Sequence, residues 1–473
     1  MDLESFQRAR LARDARFDGR FFIGVTSTGI YCRPVCPAPS PKERNVRYYP
    51  TAAAAAEAGL RPCLRCRPEA SPGTPAWLGT SATVARALRL IGDGVLQSDG
   101  LPELASRLGV GERHLRRLFV EHLGASPVAV EGTRRLHAAK RLLDETDLPL
   151  TRVALAAGYG SVRRFNDAFR GAYGRPPGEL RARRRVSGAR GGKARLPGAP
   201  GEYTFRLAYR PPYDAAGLLA FLAGRAVPGV ERATGGTYAR TIRLDGHAGA
   251  LSVTPAPSGD ALLARIRLSE PSLLARAVER VRRLFDLDAE PAAIAGHLSA
   301  DPLLAPLVSR YPGARVPGCW DPFELAVRAV LGQQVSVKGA RTLAGRLAAR
   351  FGERLPGDEP NLLFPLPEAL ADAALEGLGL TGARQRTLRA LAGAVTRGAL
   401  SFQAPADELA ARLVEIPGIG AWTAEYVAMR GLSEPDAFPS TDLVLKRAAA
   451  GARSDAWRPW RAYAAMLLWR SAS

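Results

Sequence analysis

Apolar residues recur at helical spacing in the part of the chain between residues 80 and 184. The positions that carry this pattern are Val84, Leu88, Ile91, Leu115, Leu118 and Phe119. Apolar residues three or four positions apart lie on one face of an amphipathic helix. The pattern therefore predicts a series of short amphipathic helices over residues 80–184.

The pattern changes in the second half of the chain. Apolar and polar residues alternate in the segments 203–210, 237–246 and 261–270, which predicts β-strands. Helical patterns lie around these segments, so residues 199–285 are expected to form an α+β domain. From residue 286 to residue 473 the pattern is helical throughout, interrupted by Gly and Pro. The fold class predicted for the whole chain is multidomain and mainly α-helical.

Residues 80–184 contain an internal repeat. Leu115, Phe119, Gly124 and Pro127 recur fifty positions later as Phe165, Phe169, Gly174 and Pro177. In each copy a helix rich in small residues and a glycine-marked turn precede an arginine-bearing helix, which indicates paired helix-turn-helix units. The alternative is a plain helical bundle with exposed arginines.

The charge of the chain favours a polyanionic partner. Residues 1–200 carry 34 basic and 18 acidic side chains, so most of the net charge of +21 lies in the first half. Residues 185–198 are rich in Gly and Arg without apolar periodicity and are predicted to be a flexible basic linker, across which the two halves act independently. No run of about 18 apolar residues is present, so no membrane partner and a cytoplasmic location are expected.

Four of the five cysteines lie between residues 32 and 66. Cys32, Cys36, Cys63 and Cys66 form two close pairs, separated by 26 residues. Two such pairs on turns are typical of a tetrahedral zinc site with four thiolates, so residues 1–76 are predicted to be a small α+β zinc domain. On spacing alone a purely structural zinc site is the simpler interpretation.

The residues around these cysteines narrow the interpretation. The segments FDGRFFIGVTSTGIYCRPVCPAPSP (17–41), NVRYYP (45–50) and AGLRPCLRCRP (58–68) closely resemble the Ada-type methyl-phosphotriester receptor domain. This resemblance implies that Cys32 is a zinc-bound nucleophile that accepts a methyl group from an alkylated DNA phosphate. Methylation would turn one thiolate into a neutral thioether, so the site would lose one negative charge and bind DNA more tightly.

The repeat of residues 80–184 resembles the AraC-type regulator domain, which follows the receptor domain in the Ada family. The resemblance implies two DNA-reading segments, residues 111–122 and 161–170, and transcriptional regulation at promoter sites with RNA polymerase as a further partner. The candidate DNA contacts are Arg113, Arg116, Arg117, Arg163 and Arg164.

A second candidate site lies near the carboxyl end. The segment LVEIPGIGAWTAEYVAMRG (413–431) places Pro-Gly-Ile-Gly between two helical patterns. The glycines permit a tight hairpin, and the amides of Gly418, Ile419 and Gly420 can face a DNA phosphate at the start of the next helix. Asp442 follows Pro-Ser-Thr, where an acidic residue also serves simply as a helix N-cap.

Together the hairpin and Asp442 resemble the helix-hairpin-helix DNA glycosylases. The resemblance extends to the AlkA-type 3-methyladenine glycosylase II family through four segments, YRPPYDAAGLLAFLAGRAVPGVE (209–231), RLFDLD (283–288), PGCWDPFELAVRAVLGQQVSV (317–337) and RPWRAYAAMLLW (458–469). It implies a TBP-like α+β lobe at residues 199–285 and an all-α glycosylase domain at residues 286–473 that hydrolyses the glycosidic bond of alkylated purines. Asp442 would be the catalytic carboxylate.

The same resemblance assigns further residues. Trp422, Tyr426 and Trp469 match positions of the family's base pocket, and Trp320 is added here as a fourth candidate aromatic residue. Trp422 occupies the position of the lysine found in lyase-type relatives, so a monofunctional enzyme is expected. Gln334 occupies the position of the side chain that fills the vacated base stack. Only one cysteine lies outside the zinc motif, so no iron–sulfur cluster is expected.

The resemblance also implies a monovalent cation bound by the backbone carbonyls of Val414, Ile416 and Gly418. Double-stranded DNA, as alkylated lesions and as promoters, is the expected partner of a bacterial, nucleoid-associated monomer. No Pro-Cys-His-Arg motif follows the regulator block, so the alkylguanine methyltransferase half of full-length Ada-type proteins is absent.

Two alternatives stay open at this point. The chain could be a zinc-containing transcription factor whose glycosylase-like half only binds DNA. It could also be a glycosylase whose front half serves for targeting, with Cys32 purely structural.

Overall fold

The computed structural model describes residues 3–73, 82–187 and 201–472. The predicted boundaries near residues 76 and 80, and residues 188–198 of the predicted linker, lie outside these ranges. The described residues form two compact units, Met1–Arg210 with Ser258–Glu279 and Pro211–Pro257 with Arg280–Ser473. Across the described ranges, no helix combines the length and the apolar composition that a membrane crossing requires.

The first unit begins with a small sheet flanked by two helices. Its elements are α1 (Leu3–Ala12), β1 (Phe22–Val25), β2 (Ile30–Cys32), β3 (Val46–Tyr49), α2 (Ala52–Glu57) and β4 (Arg61–Pro62). The strands are ordered β3-β1-β2-β4, and Ile23 of β1 lies opposite both Cys32 of β2 and Tyr48 of β3. The side chain of Thr51 begins α2 by accepting the amide of Ala54. This α+β arrangement is the one predicted for the zinc domain.

Eight helices follow in the same unit. They are α3 (Ala82–Gly92), α4 (Val95–Ser98), α5 (Gly100–Leu108), α6 (Glu112–Leu123), α7 (Pro127–Glu145), α8 (Leu150–Ala156), α9 (Val162–Tyr173) and α10 (Pro177–Ser187). The predicted linker therefore starts inside α10, and its residues 185–187 are helical.

The internal repeat is visible in the packing of α6 and α9. Leu115 and Phe165 are both fully buried, as are Phe119 and Phe169 one turn further on. Gly124 and Gly174 end their helices in the left-handed conformation, with φ of +70° and +67°, which glycine adopts without steric cost. Pro127 and Pro177 then open the following helices.

The next stretch of chain contains five strands and two helices. These are β5 (Glu202–Ala208), α11 (Ala215–Arg225), β6 (Glu231–Thr234), β7 (Thr237–Leu244), β8 (His247–Pro255), β9 (Ala261–Leu268) and α12 (Leu274–Leu284). In the first unit β5 pairs with β9 antiparallel. In the second unit β7 pairs antiparallel with both β6 and β8. The three predicted strands are thus present, and β6 and β8 are two that the alternation pattern did not identify.

The remaining chain is helical, as predicted. Its helices are α13 (Pro291–Leu298), α14 (Ala305–Arg310), α15 (Pro322–Leu331), α16 (Val337–Phe351), α17 (Pro367–Ala371), α18 (Gly382–Thr396), α19 (Ala406–Val414), α20 (Ala421–Gly431), α21 (Leu443–Ala448) and α22 (Arg461–Ser471). Buried aliphatic side chains of α15, α16, α18, α19 and α20 form one core. This core supports the α19–α20 hairpin and the loop between α15 and α16. The predicted multidomain, mainly α-helical fold class is confirmed.

Candidate functional site

The four clustered cysteines converge at one end of the small sheet. Cys32 ends β2, Cys36 lies in the turn that follows, and Cys63 and Cys66 lie just after β4. Their sulfur atoms all lie within 4.8 Å of one another. The amide of Cys63 donates to the carbonyl of Tyr31 at 3.0 Å, which holds the second pair of cysteines against the first.

The chemistry of this donor set fits zinc. Hydrogen bonding between the thiols lowers the pKa of Cys36 to about 7 and raises the pKa of Cys32. Four sulfur atoms this close cannot all ionise without a cation between them. Four thiolate ligands in two close pairs are the usual set of a structural Zn²⁺ site. Zinc is therefore the metal that the described residues suit.

One arginine fixes the position of Cys66. The backbone amide of Arg33 donates to the Cys66 sulfur at 3.3 Å, and its guanidinium donates to the Cys66 carbonyl at 2.9 Å. The same guanidinium forms a paired contact with the carboxylate of Asp18. The carbonyl of Asp18 in turn accepts a bond of 2.9 Å from Arg210, a fully buried side chain. The predicted metal site is thus held by a second layer of charged residues.

The cysteines open onto a positively charged cleft. The cleft has a volume of about 520 Å³, and Cys32, Cys36 and Cys63 are among its lining residues. Its remaining lining includes five guanidinium side chains, those of Arg10, Arg13, Arg33, Arg61 and Arg65. Cys63 and Cys66 are buried, whereas Cys32 and Cys36 are partly exposed. The sulfurs of the first pair are therefore the ones that a ligand can reach.

A buried polar network joins the zinc domain to α7. Tyr31, next to Cys32, shares a hydrogen bond of 3.1 Å with His137. Lys140 contacts Glu69 at 3.5 Å and Asp144 at 2.5 Å. Burial lowers the pKa of His137 to about 4, so this histidine is neutral at physiological pH. These contacts connect residues that are far apart in the sequence, and no sequence pattern pointed to them.

The DNA contacts predicted for residues 80–184 lie on the surface of α6 and α9, each of which is the second helix of one helix-turn-helix unit. Arg113, Arg116 and Arg117 are exposed on α6, and Arg163 and Arg164 are exposed on α9. Arg116 pairs with Glu112 at 3.1 Å, and Arg117 contacts His114 at 2.9 Å. The side chain of Arg163 is 93% exposed and approaches Asp167 only to 4.0 Å.

The predicted hairpin connects α19 and α20 through residues 415–420. Gly418 has φ of +90°, and a Cβ atom built there would lie 2.1 Å from the hydroxyl oxygen of Thr387, so only glycine fits. Gly418 and Gly420 are exposed. Ile419 differs from the expectation, because its side chain is buried in the core and its amide donates to Ile416 at 3.0 Å within the hairpin.

Asp442 stands at the start of α21 and its carboxylate accepts four hydrogen bonds. The amides of Val444 and Leu445 donate to Oδ1 at 2.9 and 3.0 Å, which makes Asp442 an N-cap. The indole of Trp469 also donates to Oδ1, at 3.1 Å. The indole of Trp422 donates to Oδ2 at 2.8 Å. The structure brings together three residues that the sequence placed in one site.

Tyr426 joins this aromatic group. Its ring stacks on Trp422 with centroids 5.1 Å apart and an interplanar angle of 11°, and it meets Trp469 edge-on at 6.3 Å. Trp320 has other partners. It is 3% exposed, its indole donates to the carbonyl of Arg243 at 3.1 Å, and Arg280 lies over its ring. These contacts give Trp320 a packing role, so it is removed from the candidate pocket.

Three residues that the sequence did not single out surround Tyr426. The guanidinium of Arg430 donates to the Tyr426 hydroxyl and lies over the rings of Tyr426 and Phe221. The guanidinium of Arg225 lies 3.8 Å from the centroid of Phe221. Burial acts to raise the pKa of Tyr426, but the charges of Arg430 and Arg225 outweigh it and lower the pKa. Phe221 and Arg225 lie some two hundred positions before Tyr426, so helical periodicity could not connect them.

Gln334 lies in the loop between α15 and α16. It is exposed and has φ of +55°, a left-handed conformation that is unfavourable for a residue with a side chain. The preceding residue, Gln333, donates its side-chain amide to the carbonyl of Gly418 at 2.9 Å. The loop of Gln334 is therefore attached to the hairpin.

Three family models match successive parts of the chain. The metal-binding domain of Ada matches residues 5–69, a helix-turn-helix domain matches residues 104–183, and the AlkA N-terminal domain matches residues 204–321. The order of these matches is the order of the sites described above.

Known proteins resemble both the whole chain and its second half. A probable bifunctional transcriptional activator/DNA repair enzyme AlkA of Mycobacterium tuberculosis is 45% identical over 99% of this chain and 96% of its own length. DNA-3-methyladenine glycosylase 2 of Escherichia coli is 36% identical over 56% of this chain and 96% of its own length. The structure of a 3-methyladenine DNA-glycosylase from Archaeoglobus fulgidus superposes with a TM-score of 0.50 at 21% identity, covering 56% of this chain and 96% of that one, which shows a shared fold.

Proposed function

The chain belongs to the family of bifunctional transcriptional activator and DNA repair proteins that join an Ada-type front half to an AlkA-type glycosylase, and on that premise we propose how its two sites act. The second half removes alkylated purines, of the 3-methyladenine and 7-methylguanine type, by hydrolysing their glycosidic bonds. The first half takes methyl groups from DNA methyl phosphotriesters at Cys32 and regulates transcription.

The arrangement around Asp442 carries the glycosylase proposal. Two indole N–H groups, those of Trp422 and Trp469, point at one carboxylate, and the ring of Tyr426 stacks on the indole of Trp422. A domain that only binds DNA has no use for a carboxylate held in this way. A glycosylase requires a negative charge next to the sugar, together with aromatic surfaces that hold the extruded base.

In the proposed reaction a methylated purine leaves as a neutral base, because alkylation has already given it a positive charge. The C1′–N bond breaks, the bonding electrons go to the base, and the sugar becomes oxocarbenium-like. The carboxylate of Asp442 stabilises that charge and orients the water that adds to C1′. The stacked rings of Trp422 and Tyr426 hold the cationic base, each contributing about 0.5–2 kcal/mol. With Trp422 in the position of a lyase lysine, no amine attacks the sugar.

The partly exposed sulfur of Cys32 on the arginine-lined cleft supports the methyl-acceptor proposal. The sulfur forms a bond to the methyl carbon while the carbon–oxygen bond of the phosphotriester breaks, and a phosphodiester anion leaves. Zinc bound by the four cysteines would keep the attacking sulfur a thiolate at neutral pH. The guanidinium groups of the cleft would hold the DNA backbone and the departing anion. Each molecule accepts one methyl group, so this reaction is stoichiometric.

Regulation follows from the same chemistry. Converting Cys32 to a thioether removes one negative charge close to DNA, so affinity for the promoter increases. We assign the promoter contacts to the exposed arginines of α6 and α9. Double-stranded DNA is the partner of both halves, and RNA polymerase at the promoter, action as a monomer and a cytoplasmic location on the nucleoid belong to the same proposal.

We assign binding of the DNA backbone by the second half of the chain to the hairpin of residues 415–420. The exposed Gly418 and Gly420 bring their backbone close to a phosphate, while Ile419 anchors the loop in the core. The carbonyls of Val414, Ile416 and Gly418 are the proposed ligands of a monovalent cation there. Gln334, in the neighbouring loop, is proposed to fill the space of the extruded base.

Base release from methylated duplex DNA tests the glycosylase proposal. We expect wild-type protein to release methylated purines and Asp442→Asn to do so about a hundredfold more slowly, equivalent to ~2.7 kcal/mol of barrier. Wild-type protein that binds the DNA yet releases no base would make the second half a DNA-binding platform and the chain a transcription factor.

Mass spectrometry of the first half tests the methyl-acceptor proposal. After incubation with methylated DNA, fragment ions of the peptide that contains both Cys32 and Cys36 should place the mass of one added CH₂ group on Cys32 and none on Cys36. Zinc binding without any gain of mass on Cys32 would leave the four cysteines with a structural role only.

A further inference from the structure

One side chain links the loop between α15 and α16 to the hairpin between α19 and α20. The amide nitrogen of Gln333 donates to the carbonyl of Gly418 at 2.9 Å and to the hydroxyl of Thr423 at 3.1 Å. The first acceptor lies in the hairpin loop and the second in the first turn of α20. Both N–H bonds of this amide are therefore used, and both lead to the part of the molecule that is proposed to hold the DNA backbone.

Helix α18 forms a hydrogen bond with each of the two loops. The guanidinium of Arg384 donates to the carbonyl of Gln333 at 2.5 Å. The hydroxyl of Thr387, one turn further along α18, donates to the carbonyl of Pro417 at 2.8 Å. Gly418 fits against the same threonine, because a Cβ atom at this position would lie 2.1 Å from its oxygen. The two loops are thus fixed to one helix and to each other.

Gln334 depends on this attachment. Its left-handed backbone conformation, with φ of +55°, costs free energy that the surrounding structure must offset. Its side chain is exposed, so its own packing contributes little. Three hydrogen bonds attach the preceding residue, Gln333, to other elements: its side chain donates to Gly418 and Thr423, and Arg384 donates to its carbonyl. These bonds fix the position of the backbone from which Gln334 extends.

We propose that Gln333 is a positioning residue for base extrusion. It sets the distance between Gln334, which fills the vacated stack, and the hairpin that holds the phosphate backbone. When the hairpin binds the phosphate backbone of the lesion strand, Gln334 then enters the base stack of the DNA at a fixed distance from the bound phosphate. This inference rests on the proposed glycosylase function and adds a residue that acts through Gln334 and the hairpin, with no direct contact to the base.

The chemistry of the side chain explains why a glutamine is suited to this position. Two acceptors face it, a backbone carbonyl and the threonine hydroxyl, so the group between them must offer two N–H donors. A glutamate of the same shape offers none at neutral pH and would place a negative charge near the DNA backbone. A methionine has a similar length but cannot form either bond. Gln333→Met therefore removes the link while largely keeping the volume.

The test compares one lesion in two settings. Single-turnover release of 7-methylguanine is measured from a duplex and from the same strand without its complement. Extrusion is required only in the duplex, because a single strand has no opposing base to displace. We expect Gln333→Met to slow release from the duplex at least tenfold and from the single strand less than twofold. Asp442→Asn should slow both equally, because it acts on the chemical step.

The matched control is Gln385→Met. Gln385 lies on α18 and also donates its amide to a backbone carbonyl, that of Leu380 at 3.1 Å, and among the described residues no hydrogen bond joins its side chain to either loop. It should leave both rates unchanged. The rate on the single strand also reports folding, since a misfolded variant would lose activity on both substrates. Equal losses on both substrates, or no loss on the duplex, would overturn the positioning role.

The double variant Gln333→Met with Gln334→Ala tests whether Gln333 acts through Gln334 or independently of it. We expect the double variant to be no slower on the duplex than the slower single variant, because both changes impair the same step, the insertion of Gln334 into the vacated stack. Rate losses that multiply would contradict the proposal. If the wild-type protein released no base from either substrate, the glycosylase function would fail. The fluorescence rise of a 2-aminopurine placed beside the lesion would then decide the role of Gln333: its loss in Gln333→Met supports positioning, and its retention refutes it.

Discussion

The two oxygens of the Asp442 carboxylate have unequal roles in the structure. Oδ1 accepts three hydrogen bonds, from the amides of Val444 and Leu445 and from the indole of Trp469. Oδ2 accepts one, from the indole of Trp422. An oxygen with three donors has little capacity left, so Oδ2 is the oxygen that can face the sugar. The N-cap role therefore falls to Oδ1, and the proposed catalytic role falls to Oδ2 of the same side chain.

The first prediction concerns Trp422→Phe. The substitution keeps an aromatic face for Tyr426 but removes the indole N–H that orients Oδ2. We expect kcat to fall about tenfold, or ~1.4 kcal/mol of barrier, with little change in KM, because the bond acts on the carboxylate and not on the bound base. Steady-state rates on methylated duplex DNA check this.

Trp320→Phe is the control for that prediction. Its indole hydrogen bond goes to the carbonyl of Arg243, so the substitution should leave kcat unchanged. A loss of kcat as large as that of Trp422→Phe would return Trp320 to the pocket. Sequence resemblance placed Asp442, Trp422 and Trp469 correctly in one site. Trp320 also stands beside a matching motif, and only its buried contacts show that it packs elsewhere.

At the scale of elements, the strength of the sequence pattern decided what could be predicted. The helices α6 and α9 were predictable because bulky apolar residues, such as Phe119 and Phe169, alternate with arginines and end at glycines. Strands β6 and β8 were not predictable, since β6 has four residues and β8 includes small residues such as Gly249 and Ala250. The buried positions of β8 alternate, but Ala and Gly give no clear hydrophobic signal.

The second prediction compares two arginines on the reading helices. Arg163 is almost fully exposed, whereas Arg116 is paired with Glu112. We expect Arg163→Ala to weaken promoter binding and to reduce the slope of log K against log salt by about one, the value for one lost phosphate contact. Arg116→Ala should change the slope less. Fluorescence anisotropy titrations at several salt concentrations measure both slopes, and identical slopes for Arg163→Ala and wild type would show that Arg163 does not bind a phosphate.

The third prediction concerns the packing of α22, the helix that carries Trp469. Tyr463 of α22 donates to Asp286 at 2.9 Å, and the amide of Val316 donates to the same oxygen at 3.1 Å. Burial raises the pKa of Asp286 to about 6, although the charge of Arg315 and these hydrogen bonds act to lower it. A carboxyl whose pKa is raised on folding contributes stability at low pH and loses that contribution as pH rises through the folded value.

Relative to Asp286→Asn, the wild-type protein should therefore lose about 2 kcal/mol of unfolding free energy between pH 4 and pH 6.5. Above that range the difference should stay constant. Urea denaturation of both proteins at several pH values checks this, and the comparison cancels contributions that the two proteins share. A difference that does not change with pH would show that Asp286 titrates at its ordinary pKa.

At the scale of the whole molecule, the first residues after the predicted linker pack against the chain before it, within the first compact unit. Arg210 is fully buried, and its guanidinium donates to the carbonyls of Asp18 and Gly73 at 2.9 and 2.5 Å. The amide of Arg206, in β5, donates to Glu145 at the end of α7 at 3.4 Å. The composition of residues 185–198, rich in Gly and Arg, predicts a flexible linker, and the sequence carries no signal for these contacts. Linker composition does not reveal whether the segments it joins dock, so this part of the organisation could not be predicted.

The last prediction follows from that docking. A protease site inserted within residues 188–198 should allow the chain to be cut without separating the two pieces, because buried contacts of Arg210 hold them together. We expect the cut protein to elute as one species in size-exclusion chromatography at low micromolar concentration. Cut Arg210→Ala protein should separate more readily, since the change leaves the two carbonyls without their buried donor, a cost of about 1–3 kcal/mol. Arg13→Ala serves as the control, because Arg13 contacts only Ala38 of the same domain among the bonds described. Separation of the cut wild-type protein into two species would show that these contacts do not hold the two pieces together.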